Sequence, residues 1–138
     1  MLDPQLVEQV AAEFGTAPDL IEKEWHVVRA IGVIAALDLD GARLAFSGGT
    51  SLSVGWGLIR RFSEDADFKV AMPYAANPSQ ARAQRHRFRE RALAALAAAE
   101  FTPMGAPRQA SQFFSADFSY PRTRSSLSAD CARICRSR

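Results

Sequence analysis

The sequence predicts a mixed αβ fold of the α+β class around one core, and three observations carry that prediction. Segments near 6–14, 17–37 and 79–99 show helical spacing of apolar residues or a wealth of strong helix formers. Residues 65–70 and 113–120 alternate apolar and polar, the period of a half-buried strand. A short segment, Arg43-Leu44-Ala45-Phe46, leads into Ser47-Gly48-Gly49, which suits a strand that turns into a helix.

The elements follow in order. Leu6, Val7, Val10, Ala11 and Phe14 share one helix face, and Gly15 ends that helix. Thr16-Ala17-Pro18-Asp19 reads as a capping box opening a longer helix over about 17–37. Trp25, Val28, Ile31 or Gly32 and Ala35 are its expected buried stripe, with Glu22, Lys23 and Arg29 on the wetter side. Residues 38–41 carry turn chemistry, and the 43–46 strand follows. Residues 50–54 are expected to form a turn of helix before Gly55 and Gly57 interrupt it. In the 65–70 strand Asp65, Asp67 and Lys69 share one face, and Ala66, Phe68 and Val70 the other. A loop over 73–78 leads to the 79–99 helix, arginine-rich first and alanine-rich later, and the last strand ends at Pro121.

Composition limits the function classes. The chain has 138 residues, 48% apolar and 23% charged, as expected of one globular domain. The N-terminus lacks a secretory leader, no apolar run is long enough to span a membrane, and only Cys131 and Cys135 occur, so a cytoplasmic protein is expected. Residues 122–138 read as an irregular basic tail to a domain over 1–121. From residue 121 onward the net charge is +4, whereas residues 1–120 carry −2, so the body is not a general polyanion binder.

The chemistry concentrates in two runs, Phe46-Ser47-Gly48-Gly49-Thr50-Ser51-Leu52 and Arg61-Phe62-Ser63-Glu64-Asp65-Ala66-Asp67-Phe68. Aspartate is disfavoured inside strands, so two on one face need a reason. Their Cα atoms lie about 6.6 Å apart at the usual strand rise. A hard divalent ion such as Mg²⁺, or Mn²⁺, bridging Asp65 and Asp67 would relieve their repulsion. Gly48 and Gly49 let backbone approach a ligand, and a helix starting at Thr50 and Ser51 would aim N–H groups at phosphate. Each piece alone is common; the ordered set is not.

That set resembles the AbiEii/AbiGii toxin family, nucleotidyltransferase-like proteins of the polymerase-beta-type superfamily. The resemblance rests on Ile21-Glu22-Lys23-Glu24-Trp25, Gly48-Gly49-Thr50-Ser51-Leu52-Ser53, Gly57-Leu58-Ile59, and Arg61-Phe62-Ser63-Glu64-Asp65 followed by Asp67. It implies a metal-dependent transferase that moves a nucleotide from a nucleoside triphosphate onto an acceptor, RNA in some relatives. Asp65 and Asp67 would be catalytic and hold the metal; Gly48, Gly49, Thr50, Ser51, Arg61 and Ser63 would bind the nucleotide. It also implies a toxin–antitoxin or phage-defence setting with a cognate antitoxin protein. Relatives are longer, and their later part supplies a third acidic strand position and basic groups for the triphosphate. The nucleotidyltransferase-like core is therefore expected to be incomplete here, and the change of character after Pro121 suggests a truncated or frame-shifted gene, or a fragment.

Asp117 lies on a strand of the right kind for the third carboxylate, but an ordinary strand aspartate is the favoured reading. Lys69 could touch substrate or form a salt bridge. Arg82, Arg85, Arg87, Arg89 and Arg91 could contact an RNA backbone, although a solvated helix face is commoner. Two rival functions follow: an inactive remnant of the fold, and an RNA- or partner-binding module using the arginine-rich helix. His26 and His86 lack partners for a hydrolase triad, and neither a zinc pattern nor a P-loop is present.

Overall fold

The computed structural model of the chain describes residues 2–50, 65–110, 113–123 and 132–134. Helix α1 spans Pro4–Phe14 and α2 Pro18–Ala35; strand β1, Arg43–Ser47, runs directly into the single turn α3, Gly48–Thr50. Strand β2 is Asp65–Ala71, α4 is Pro78–Ala98, and β3, β4 and β5 are Thr102–Ala110, Phe113–Ser119 and Ala132–Ile134. The mixed α+β expectation holds. No helix among the described residues is long and apolar enough to cross a membrane.

Local chemistry fixes most helix ends. The Asp3 carboxylate accepts the Gln5 N–H at 2.9 Å, and Pro4 occupies the first helical turn of α1. Gly15 closes α1 with a φ of 62°, after which the Thr16 N–H bonds the Ala11 carbonyl at 3.0 Å. Thr16 is therefore part of the end of α1. The expected capping box does not form: Ala17 is the N-cap of α2 and provides no side-chain bond. At α4 the Asn77 side chain accepts the Gln80 N–H while Gln80 accepts the Ala76 N–H, so both free donors are satisfied.

The five strands form one sheet in the order β1-β2-β5-β4-β3. β2 pairs antiparallel with β1 and parallel with β5, and β4 pairs antiparallel with both β5 and β3. Alternation sorts the faces: Ala66, Phe68, Phe114, Ala116 and Phe118 join Val27, Ala30 and Ile34 of α2 and Ala92 and Leu96 of α4 in one core. The opposite sheet face carries the polar positions of β2 and β4.

Two sequence expectations are corrected here. The buried side of α2 is Glu22, Lys23, His26, Val27, Ala30 and Ile34, whereas Trp25, Val28 and Ala35 are exposed. Apolar residues occur on both sides of this helix, so spacing alone does not choose between them. The C-terminal part of the chain does. Tyr120 stacks on His26 with ring centroids 4.0 Å apart, and Thr123 donates both its N–H and its hydroxyl to the Glu22 carboxylate.

The second correction concerns the expected irregular tail. Residues 132–134 of that segment form β5, paired on both sides inside the sheet, and Thr123 is tied to α2. Three residues are too few to show a period, and their stability comes from the two neighbouring strands. The rest of the tail, 124–131 and 135–138, lies outside the described residues. Strand β3 also carries no sequence signal. It is an exposed edge strand holding Pro103, Gly105 and Pro107, and its register shifts between Met104 and Arg108. Proline is tolerated there because an edge strand need not donate on its open side.

Candidate functional site

The site begins where β1 leaves the sheet. The β1–β2 ladder places Ser47 opposite Asp67, and the Ser47 hydroxyl donates to the Asp67 carbonyl at 3.4 Å. The next residue, Gly48, has a φ of +78°, a conformation that side chains of L-residues rarely adopt. A Cβ at Gly48 would lie 3.0 Å from Asp67 Cβ and 3.1 Å from its Cγ, and would meet Oδ2 more closely still. Glycine is thus required twice, by the turn and by the carboxylate seated on it. Sequence reading assigned the two motifs to one site through chemistry alone; the structure brings Gly48 and Asp67 into contact.

Asp65 and Asp67 both lie half-buried on the sheet face opposite the core. Lys69 continues that face and is exposed; among the described residues no ion pair joins it to either aspartate. Gly49 and the backbone of Thr50 complete the single turn α3 beside β2. Ser51, Arg61 and Ser63 lie outside the described residues, as does the expected 50–54 helical turn beyond Thr50.

Asp117 falls on the same sheet face but not beside Asp65. Position 133 of β5 is the register partner of both, so an arginine position stands between the two aspartates. Two strand spacings separate their backbones, roughly 10 Å. The Asp117 carboxylate pairs with Arg108 at 3.5 Å. Among the described residues, no group of three or more His, Cys, Asp or Glu side chains forms a metal cluster.

The arginines of α4 divide. Arg89 donates to the Gln109 side chain and the Ala110 carbonyl, both at 3.3 Å, with its guanidinium over Phe114. Arg91 donates to the Asp38 carbonyl at 3.2 Å and faces Asp40. Those two fasten α4 to β3 and to the 38–41 turn, a structural use that sequence spacing did not separate from RNA contact.

The model of a family described as nucleotidyl transferase AbiEii toxin, type IV toxin–antitoxin system, matches residues 33–131. No curated protein matches the chain. A solved structure of Cid1, described for its RNA terminal uridylyl transferase activity, is similar over 97% of this chain at 20% identity, with a TM-score of 0.40. The chain spans 35% of the length of that structure.

Proposed function

Because the chain belongs to the AbiEii nucleotidyl transferase toxin family, we propose that its Gly48–Asp67 face takes part in moving a nucleotide from a nucleoside triphosphate to an acceptor hydroxyl. The observation that carries this reading is the Asp67 carboxylate held against the left-handed Gly48, with Asp65 on the same sheet face.

The donor set fits a divalent cation. Two carboxylates on one face, with substrate phosphates supplying further oxygens, is how Mg²⁺ is commonly bound in phosphoryl-transfer sites. Asp65 and Asp67 would hold that ion, Mg²⁺ or Mn²⁺. When bound, such an ion neutralises charge on the attacking and leaving oxygens.

The chain's own residues orient the parts. Ser47 and the β1 ladder fix the Asp67 backbone, and Gly48 keeps space for its carboxylate. Gly49, Thr50, Ser51, Arg61 and Ser63 would seat the triphosphate. In the reaction the acceptor oxygen bonds to the α-phosphorus, the bond from that phosphorus to the bridging α–β oxygen breaks, and pyrophosphate leaves as the hydroxyl proton is released. RNA as acceptor, a toxic role and an antitoxin partner belong to the same proposal, supported by the family membership.

The test combines thermal unfolding with a transfer assay. Nucleoside triphosphate at 100 times its dissociation constant adds about 2.7 kcal/mol of stability. The expected result is a shift that requires Mg²⁺ and is absent in Asp67→Ala, together with label transfer from an α-labelled triphosphate to RNA. A folded chain with neither response overturns the reading and leaves the inactive remnant.

A further inference from the structure

The outer face of β1 and β2 continues past the carboxylates in a regular order. Antiparallel register sets Ser47 opposite Asp67, Ala45 opposite Lys69, and Arg43 opposite Ala71. Residues two apart on a strand share a face, so all six stand on the side away from the core. Gly48 lies at one end of this strip, the carboxylates come next, and two cation positions follow.

Neither cation is tied to the fold by its charge. Lys69 and Arg43 are exposed, and among the described residues neither forms an ion pair or a side-chain hydrogen bond. Lys69 follows Asp67 by about 6.6 Å at the usual strand rise, yet it does not pair with that carboxylate. Arg43 and Lys69 are diagonal neighbours across the ladder, roughly 7–8 Å apart, and their like charges repel. Ala45 and Ala71, which stand opposite them, are exposed and too small to fill the space between. A shallow floor with a cation on each side results.

Reaction geometry selects the anion that this floor would take. In-line displacement puts the attacking and leaving oxygens on opposite sides of the phosphorus. With the triphosphate at the glycine turn, pyrophosphate departs towards Gly48 and Gly49. The acceptor oxygen then approaches from the other side of Asp65 and Asp67, where Lys69 and Arg43 stand. Two cations in succession along the strip fit successive phosphates, which a small acceptor lacks.

We propose that Lys69 and Arg43 bind the phosphodiester backbone of a single-stranded RNA acceptor and lead its terminal hydroxyl to the carboxylates. This assignment rests on the nucleotide-transfer reading of the Gly48–Asp67 site.

The test titrates the full chain into a short fluorescein-labelled single-stranded RNA, read by anisotropy in KCl without divalent metal. Lys69→Gln and Arg43→Gln are each expected to weaken binding about fivefold at about 0.1 M salt. Each also lowers the slope of log affinity against log salt by about 0.7, the loss of one phosphate contact. Arg82→Gln removes the same charge from the exposed side of α4 and is expected to do neither. The Mg²⁺-dependent thermal stabilisation by a nucleoside triphosphate is expected to persist in both strip variants.

Four results would overturn the proposal: no RNA binding by the parent chain, RNA affinity indifferent to both strip variants, an equal loss in Arg82→Gln, or loss of the triphosphate shift in place of RNA binding. The last would assign the two cations to the triphosphate. RNA binding that depends on Lys69 and Arg43, in a chain without any triphosphate response, keeps the RNA strip and overturns only the transfer reading.

Discussion

The Asp67 carboxylate occupies the space that a Cβ on Gly48 would fill, and the Gly48 φ of +78° separately disfavours any side chain there. Gly48→Ala is therefore expected to act on stability and site together. Strain of a non-glycine residue in the left-handed region costs about 1–2 kcal/mol, and the added Cβ forces Asp67 aside. Urea unfolding with and without Mg²⁺ and nucleoside triphosphate checks both effects. A variant as stable and as ligand-responsive as the parent would contradict this contact.

Asp67→Asn separates charge from shape. The amide occupies the same volume over Gly48, so the fold is expected to survive with its melting temperature nearly unchanged. Nucleotide transfer is expected to fall by roughly 100-fold or more, the scale of losing one charge-stabilising group. Initial rates with a labelled triphosphate, beside a melting curve, read the two separately.

The core depends on β4 as much as on the helices. Phe118 is 1% exposed and meets α2, α4 and β2 within one cluster. Phe118→Ala is expected to destabilise the chain by about 3–5 kcal/mol through lost burial and the cavity left behind. Chemical denaturation measures it; a loss under about 1 kcal/mol would mean that β4 is not packed as described.

Stability is also expected to fall with pH. Burial pushes the pKa of His26 from 6.5 down to about 4; Glu22 resists that push, Arg29 adds to it, and the Pro121 carbonyl and Glu100 resist it further. In the unfolded chain the imidazole takes up a proton below its ordinary pKa, so between the two values the unfolded state binds more protons. Stability from this group is thus complete above about pH 6.5 and declines as pH falls towards 4, by about 3 kcal/mol in all. Urea midpoints at about pH 7 and about pH 5 should differ in the parent and differ less in His26→Phe; equal differences would exclude His26 as the source.

Local chemistry was legible where it is local. Asp65 to Val70 alternates strictly and becomes β2, Gly15 stops α1 by its left-handed φ, and the alanine-rich half of α4 is helical whatever it packs against. The pairing of a glycine turn with two strand aspartates was legible too, because few backbones need both residue types in that order. Thr16 shows the limit: its side chain suits a cap, but its backbone was already used to close α1.

By itself, then, the sequence determined the helices, the alternating strands β2 and β4, and the chemical character of the Gly48–Asp67 site. Tertiary structure alone decided which side of α2 is buried, because Tyr120 and Thr123 arrive from about a hundred residues away to cover His26 and Glu22. It alone inserted residues 132–134 between β2 and β4, and so put a whole strand between Asp117 and Asp65. Periodicity reports the geometry of one segment, whereas partner choice depends on the hydrogen bonds and apolar surface that distant segments leave unfilled.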